Sequence, residues 1–329
     1  MLYAVLEYFK GKSILVTGST GFLGKVLVGK ILRVQPDVKK LFLLVQATDF
    51  ECATQRIQTE VTGREVFQAL KEKHGNGLVD FIQAKVCPLP RDSMYEDLGL
   101  GHARLIEVSK EIDVIVNGAA TIKFYERDDV ALDANVMGVK HICEFAKSCY
   151  KLKMLLYVST AYVAGEQEGS ILLERPFLMG ESLDIESEGL LSRRHTSVSL
   201  TCLLIPARYV CCICAKTTCR AREFGWPNTC VFTKAMGEML LVHLRGDLPV
   251  VIIRPSIITS IFKEPLPAWM EGISFDDTNT ERLRAAMKKN KEQDRNEDYD
   301  CFGFDPKSID WDDYFYRIHI PGVVKYLCD

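Results

Sequence analysis

Short apolar runs alternate with amphipathic segments from residue 13 to about residue 256. The runs that predict strands are Ser13–Val16, Lys40–Val45, Asp80–Lys85, Asp113–Val116, Lys153–Tyr157 and Pro249–Ile253. Segments with apolar residues at helical spacing lie between them, at Phe22–Arg33, Ala53–His74, Asp133–Tyr150 and Thr229–Arg245. This order predicts an α/β fold with a doubly wound parallel sheet and right-handed crossovers.

Two regions break the alternation. Residues 191–222 have no sustained helical or strand period and are rich in Ser, Thr, Cys and Arg. Residues 274–329 contain the mostly charged segment Glu281–Asp300 and end in an aromatic stretch that is short for a core of its own. We therefore predict one α/β domain over 1–273, with 191–222 as an anomalous insert and 274–329 as a truncated appendage.

A Gly-rich turn, TGSTGFLG, joins the first predicted strand to the first helix. In such a turn Gly18 permits the tight bend, Gly21 lets backbone approach a phosphate, and Gly24 lets the helix pack on the strand. The helix N-terminus then offers free N–H groups to the anion. The residues expected to bind a dinucleotide pyrophosphate are Thr17, Gly18, Thr20, Gly21, Phe22, Leu23 and Gly24. The alternative is a Gly-rich turn that binds nothing, which the flanking strand and helix disfavour.

The end of the second predicted strand is the position at which such folds distinguish the ribose of NAD from that of NADP. Gln46 stands there, with Asp49 close by. Neither is the Arg that a 2′-phosphate would call for, so these residues leave both cofactors open.

Further candidates for chemistry follow later strands, at the edge where doubly wound folds bind ligands. Small residues after Asn117 would let a cofactor pass, and the Ser159-Thr160 pair offers a hydroxyl to a substrate carbonyl. Lys234 lies four residues after Cys230, so the two share a helix face. Each feature also has an ordinary structural explanation, a helix cap or turn for the hydroxyls and a solvated side chain for the lysine.

Composition narrows the class of protein. Of the 329 residues, 47% are hydrophobic and 26% charged, and the net charge of −3 argues against nucleic acid as a partner. No stretch approaches the roughly 20 apolar residues of a membrane span, and the first residues lack a signal-peptide core, so we expect a cytosolic start. Five of the twelve cysteines lie within 202–219, and their spacing is not that of a zinc site, so we expect free thiols and no metal.

Five motifs together resemble the alcohol-forming fatty acyl-CoA reductases, which are extended short-chain dehydrogenase/reductases, and the resemblance is closest to plant members. The motifs are TGSTGFLGKVL, NGAAT, VSTAYV, GWPNTCVFTK and IIRPSIITSIFKEPLP. The similarity covers 8–190 and 223–273, and FDPKSIDWDDYFYRIHIPGVVKYL resembles the end of the C-terminal domain of those enzymes. The resemblance implies a Rossmann domain and reduction of long-chain acyl-CoA to fatty alcohol in two NADPH-dependent hydride steps.

The resemblance also implies roles for residues beyond the Gly-rich turn. Asp92 corresponds to the acidic residue beside the adenine, and Asn135 to an asparagine that ties strands together. Asn117, Ala119 and Ala120 correspond to the cofactor contact after strand four. Thr160 corresponds to the catalytic hydroxyl, and Lys234 to the lysine that binds ribose and lowers the pKa of a neighbouring phenol.

Four departures from the family pattern stand out. The Y-x-x-x-K motif has Cys230 in place of its tyrosine, the general acid, and a thiol is shorter than a phenol. Gln46 stands where family members usually carry Arg, which weakens the case for NADP over NAD. Residues 191–222 do not resemble the corresponding segment, and the chain passes from Ile273 to the C-terminal tail without the acyl-channel region.

Two functions therefore remain open. One is a slow NADPH-dependent acyl-CoA reductase, with NAD as an alternative cofactor, long-chain acyl-CoA as substrate, and a location in the cytosol or peripherally on the endoplasmic reticulum membrane. The other is a catalytically dead relative that still binds cofactor. An extended reductase acting on a nucleotide sugar or sterol would share the fold, and GWPNT and FKEPLP argue against it by resemblance.

Overall fold

The computed structural model describes residues 7–123, 126–164, 221–222 and 225–256, and the single positions 310, 314 and 317. The predicted insert 191–222, apart from its last two residues, lies outside the described residues. So do the clustered cysteines within 202–219 and the appendage 274–329, apart from the three single positions.

Six parallel strands form one sheet in the order β3-β2-β1-β4-β5-β6. They are β1 (Ser13–Thr17), β2 (Lys40–Val45), β3 (Val86–Pro90), β4 (Val114–Asn117), β5 (Met154–Val158) and β6 (Val250–Ile253). The order reverses between β1 and β4, which are direct neighbours with Thr17 opposite Asn117. A crevice at this switch point is where doubly wound folds bind ligands. The predicted α/β fold class is confirmed.

Helices cover both faces of the sheet. The α-helices within the described residues are α1 (Phe22–Val34), α2 (Phe50–Arg56), α3 (Gln68–His74), α4 (Leu78–Lys85), α5 (His102–Ser109), α6 (Asp128–Leu132), α7 (Gly138–Ser148) and α8 (Thr229–Leu244). No helix in the described ranges has the length and apolar character that crossing a bilayer requires.

Alternating side chains of the strands pack into two separate hydrophobic cores, one on each face of the sheet. Ile14 and Val16 of β1 pack with α1 and its neighbours on one face. Leu15, between them, packs with α5 and α7 on the other face. Strands buried on both faces explain why the sequence shows continuous apolar runs instead of alternation.

The third strand lies six residues later than the sequence predicts. Asp80–Lys85, predicted as a strand, belongs to α4, and the strand is the next segment, Val86–Pro90. The two prolines of that segment argue against a central strand, but among the described strands β3 is at the edge of the sheet and pairs only with β2. An edge strand tolerates proline because its missing N–H can face away from the partner.

Two predicted helices are interrupted. Ala53–His74 is divided among α2, a π-helical turn at Ile57–Thr62, a short 3₁₀ turn and α3. Gly63, where a Cβ would lie 2.5 Å from the Gln58 carbonyl oxygen, marks the break. The segment predicted as Asp133–Tyr150 begins with a second π-helical turn at Asp133–Met137 before α7.

Candidate active site

The Gly-rich turn between β1 and α1 leaves no room for side chains at two of its glycines. Gly18 has a φ of +71°, and a Cβ there would lie 2.8 Å from the backbone of Gly118 and Ala119. A Cβ on Gly24 would lie 2.2 Å from the Gly18 carbonyl oxygen. The turn is therefore held tightly between α1 and the loop after β4.

The start of α1 has the features that an anionic ligand would satisfy. Gly21 is the N-cap residue of α1 and, having no side chain, offers no side-chain acceptor to the first N–H groups of the helix. The buried Ser19 hydroxyl has no hydrogen-bond partner among the described residues. Phe22 and Leu23 are 48% and 37% exposed at the same helix end. These residues, with half-buried Thr20, fit a dinucleotide pyrophosphate.

Thr17 joins the two central strands through its hydroxyl. The hydroxyl donates to Asn117 Oδ1 at 2.7 Å and accepts from the N–H groups of Gly118 at 3.1 Å and Ala119 at 3.0 Å. The side chains of Thr17 and Asn117 are thus hydrogen-bonded to each other at the bottom of the crevice. Ala119 and Ala120 are only partly buried and border the space above them.

At the end of β2, Gln46 and Asp92 lie side by side, because the Gln46 amide donates to Asp92 Oδ2. The other oxygen of Asp92 accepts from the Met94 N–H at 3.1 Å. The structure therefore brings together the two residues predicted to lie near the adenosine. Two arginines that the sequence analysis did not select, Arg56 and Arg91, donate to backbone carbonyls of the same segment.

Asn135 ties the loop after β4 to α8. Its side chain exchanges two hydrogen bonds with the backbone of Thr121, at 3.0 and 3.1 Å, and donates to Thr233 Oγ1 at 3.0 Å. Asn135 lies in the π-helical turn at Asp133–Met137. The resemblance implied an asparagine that ties strands together, whereas these contacts join a loop to a helix.

Of the two hydroxyl residues after β5, only Thr160 is free to face the crevice. Ser159 is 4% exposed and donates to Glu238 Oε2 at 2.9 Å. Thr160 is half-buried and makes only weak contacts of 3.4 Å, to the Pro255 carbonyl oxygen and from the Tyr162 N–H. A hydroxyl with such long hydrogen bonds can turn toward a substrate carbonyl.

Cys230 and Lys234 lie one turn apart near the start of α8. Asn228 caps the helix by accepting from the Val231 N–H at 3.0 Å. The Lys234 ammonium donates to the Val158 carbonyl oxygen at 2.8 Å and lies 5.0 Å from the centre of the Tyr157 ring. The Cys230 thiol donates to the Thr121 carbonyl oxygen at 3.5 Å.

Burial shifts the protonation of this pair in opposite directions. It lowers the pKa of Lys234 from 10.5 to about 8, an effect that the nearby Cys230 partly opposes. Burial raises the pKa of the Cys230 thiol, and the ammonium of Lys234 partly opposes that shift. At pH 7 the thiol is therefore neutral and the lysine carries its charge in a desolvated site.

Replacing Lys234 by methionine is expected to stabilise the protein. The Lys234 ammonium loses its proton more readily in the folded chain than in the unfolded chain. The free energy of unfolding therefore increases as pH rises from about 8 to about 10. The pKa difference corresponds to a cost of about 3 kcal/mol below pH 8. Urea unfolding at pH 7 should show Lys234→Met more stable by about 1–3 kcal/mol, a gain that shrinks by pH 10. If Lys234→Met and the parent protein had the same free energy of unfolding at pH 7 and at pH 10, that result would contradict the cost of this buried charge.

An ion pair between a buried carboxylate and a half-buried arginine lies next to these residues. Glu238, one turn after Lys234, is 0% exposed and accepts from Arg254 Nε at 3.1 Å, with a second hydrogen bond from Arg254 Nη2. The same carboxylate accepts from Ser159. This network links α8 to the segments that follow β5 and β6.

A sequence profile of the NAD-binding family described as Male sterility protein matches residues 16–298. This chain belongs to the male sterility protein family. A second profile with the same description, named Sterile, matches residues 269–329. The family match, together with the Gly-rich turn at the head of α1, identifies a nicotinamide dinucleotide as the cofactor.

Curated relatives of this male sterility family protein include plant reductases. The alcohol-forming fatty acyl-CoA reductase of Simmondsia chinensis is 48% identical over 288 residues, which are 83% of this chain and 57% of the relative. The probable fatty acyl-CoA reductase 4 of Arabidopsis thaliana is 46% identical over 312 residues, 92% of this chain and 61% of the relative. The predicted resemblance is confirmed, and the chain spans about three fifths of the length of these relatives.

One solved structure supports the fold of this family member. The terminal R domain from the myxalamid PKS-NRPS biosynthetic pathway matches with a TM-score of 0.51 at 23% identity, over 76% of this chain and 50% of that chain. At this identity the likeness concerns the Rossmann fold alone.

Sequence reasoning missed several polar residues of this male sterility family site. Glu238 could have been found, because it follows Lys234 by four residues on the predicted helix. Ser19 and Arg91 lie in irregular segments, where no periodicity indicates burial or direction. No group of three or more potential metal ligands occurs among the described residues.

Proposed function

We propose that this chain reduces long-chain fatty acyl-CoA to fatty alcohol through the aldehyde, with NADPH as hydride donor, and that Cys230 makes the reaction slow. The observation that carries the proposal is the buried Lys234, one turn after Cys230 and hydrogen-bonded at the end of β5 beside Thr160. The names of the plant relatives support the substrate class.

The chain's own residues would bind and orient the reactants. Bound at the Gly-rich turn, the nicotinamide cofactor supplies a hydride in each of two steps. Thr160 would donate a hydrogen bond to the carbonyl oxygen, and Lys234 would hold the ribose and favour negative charge nearby. In the first step the thioester carbon would gain hydride, its C–S bond would break, and CoA would leave as a thiolate that takes a proton from water. In the second step the aldehyde carbon would gain hydride and its oxygen a proton.

NADPH, and not NADH, is proposed because cationic side chains flank the end of β2. Arg56 and Arg91 both donate to backbone carbonyls there, although Gln46 occupies the position where the family usually carries Arg. A guanidinium near this position favours the 2′-phosphate of NADP.

The test is direct turnover. Purified protein incubated with a long-chain acyl-CoA and NADPH should yield fatty alcohol, detected by gas chromatography, at a low rate. Thr160→Val, which removes the hydroxyl at similar volume, should reduce that rate further. Absence of both aldehyde and alcohol would contradict reductase activity.

A second candidate, a cofactor-binding chain without catalysis, has an observation in its favour. The Cys230 thiol already donates to a backbone carbonyl, and burial raises its pKa, so it is poorly placed to supply a proton. Calorimetric titration with NADPH, run beside the turnover assay, distinguishes the two functions, since the inactive protein would bind cofactor without forming aldehyde or alcohol.

We also propose the domain division 1–273 and 274–329, and a location in the cytosol or at the surface of the endoplasmic reticulum. The resemblance to enzymes acting on membrane-derived acyl chains supports the location, whereas one relative from Arabidopsis thaliana, 44% identical, is named as chloroplastic. Fractionation of cells expressing the tagged chain tests the location.

A further inference from the structure

Arg91, the first residue after β3, has a backbone conformation that normally belongs to glycine. Its φ is 140°, in a region that residues with a Cβ rarely adopt. Such conformations persist where the surroundings fix them, and they cluster at ligand-binding segments. The Arg91 N–H donates to the Val45 carbonyl oxygen at 2.9 Å, which fixes the backbone against the end of β2.

The stem of the Arg91 side chain is held by packing. A Cβ built on Gly99 would lie 2.9, 3.0 and 3.2 Å from Cβ, Cγ and Cδ of Arg91, so the stem lies directly on this glycine. Gly99 and the two residues before it, Asp97 and Leu98, all have positive φ values, from 52° to 67°. The stem of Arg91 packs on this left-handed turn, which fixes the direction of the side chain.

The guanidinium of Arg91 reaches the segment that follows β2. Its Nη1 donates to the carbonyl oxygens of Ala47, at 3.2 Å, and Thr48. Nε and Nη2 have no hydrogen-bond or ion-pair partner among the described residues, and the side chain is exposed. The group is therefore anchored on one edge and open on the other, which suits bidentate binding of an anion.

The neighbouring charged groups are already engaged. Arg56 directs Nε and Nη2 to Glu60, at 2.7 and 2.9 Å, and Nη1 to the Gln46 carbonyl oxygen. Asp49 accepts from the Cys52 N–H at 2.8 Å and the Thr48 hydroxyl at 2.7 Å. Asp92 accepts from Gln46 and the Met94 N–H. Arg91 is thus the guanidinium best able to meet a phosphate here.

We propose that Arg91 is the specificity-determining residue that binds the 2′-phosphate of NADPH, replacing in function the arginine absent at Gln46. The inference rests on the proposed cofactor use and deepens it. The ligand chemistry is a phosphate monoester on an adenosine ribose, placed where the end of β2 meets the loop after β3.

The test measures binding instead of turnover, with adenosine 2′,5′-bisphosphate and adenosine 5′-monophosphate as probes in calorimetric titration. The parent protein should bind the bisphosphate about 10- to 100-fold more tightly. Arg91→Met keeps the stem without the charge and should bind both probes equally. Lys73→Gln, which removes an exposed charge on α3, should keep the preference. Arg91→Gly relieves the backbone strain and should raise the melting temperature. If this variant also loses the preference for the bisphosphate, unfolding is not the cause of that loss.

The outcomes separate this inference from the proposed function. A preference for the bisphosphate that survives in both Arg91 variants would overturn the assignment of Arg91 while leaving NADPH as cofactor. Equal binding of both probes by the parent would overturn the assignment and favour NADH. Binding of neither probe by the parent would overturn cofactor use and this inference together.

Discussion

We expect the Cys230→Tyr variant to reduce acyl-CoA about 10²- to 10⁴-fold faster than the parent chain. The substitution places a phenol one turn before Lys234, whose buried ammonium lies near enough to affect the charge at position 230. A nearby cation lowers the pKa of a phenol, which makes proton transfer to the carbonyl oxygen easier. The rate of alcohol formation at pH 7 measures the gain.

Two control variants distinguish the effect of proton donation by the phenol from the effect of the larger side-chain volume. Cys230→Phe has the volume of tyrosine without its hydroxyl and should stay as slow as the parent. Cys230→Ser keeps a short donor and should also stay slow, because the donor does not reach the substrate. If Tyr and Phe at position 230 give the same rate, the missing phenol is not what limits this chain.

The second large effect is on stability, because replacing Glu238 by alanine should cost about 3–5 kcal/mol of unfolding free energy. Glu238 is 0% exposed, and its removal takes away the carboxylate that accepts hydrogen bonds from Arg254 and from the buried Ser159 hydroxyl. Urea unfolding followed by circular dichroism measures the loss.

A surface pair provides the matched control. Lys39 and Glu111 form an exposed ion pair with 2.9 Å between nitrogen and oxygen, so Glu111→Ala should cost less than about 1 kcal/mol. The double variant Glu238→Met, Arg254→Met should recover much of the loss, because it removes the buried carboxylate together with its half-buried partner. Equal losses for Glu238→Ala and Glu111→Ala would contradict a supporting role for the buried pair.

The apolar runs predict most of this fold because parallel strands buried on both faces leave a continuous signal in the sequence. Lys40–Val45 has the same bounds in the sequence prediction and in the structure. The edge strand Val86–Pro90 escaped prediction because its prolines oppose a strand everywhere except at an edge, and edge position is a property of the assembled sheet. The breaks inside the predicted helices likewise depend on packing that no local pattern records.

The residues of the candidate site likewise fall into those that the local sequence indicates and those that only the folded structure places. Motif residues such as Gly18 and Lys234 stand in fixed positions relative to a strand end or a helix start, so local sequence indicates their place. The direction of Arg91 depends on the left-handed turn at Asp97–Gly99, which contains only one glycine. The pairing of Glu238 with Arg254 joins a helix to a strand end, and only the folded sheet brings these residues together.

The neighbouring positions of β1 and β4 at the centre of the sheet have a consequence for folding during synthesis. Thr17 and Asn117 are 100 positions apart, so β1 leaves the ribosome long before its central partner exists. At about 5–20 residues per second, one edge of β1 stays without its partner for about 5–20 s. An open apolar strand edge is a template for wrong pairing, so we expect misassembly during translation to begin at β1.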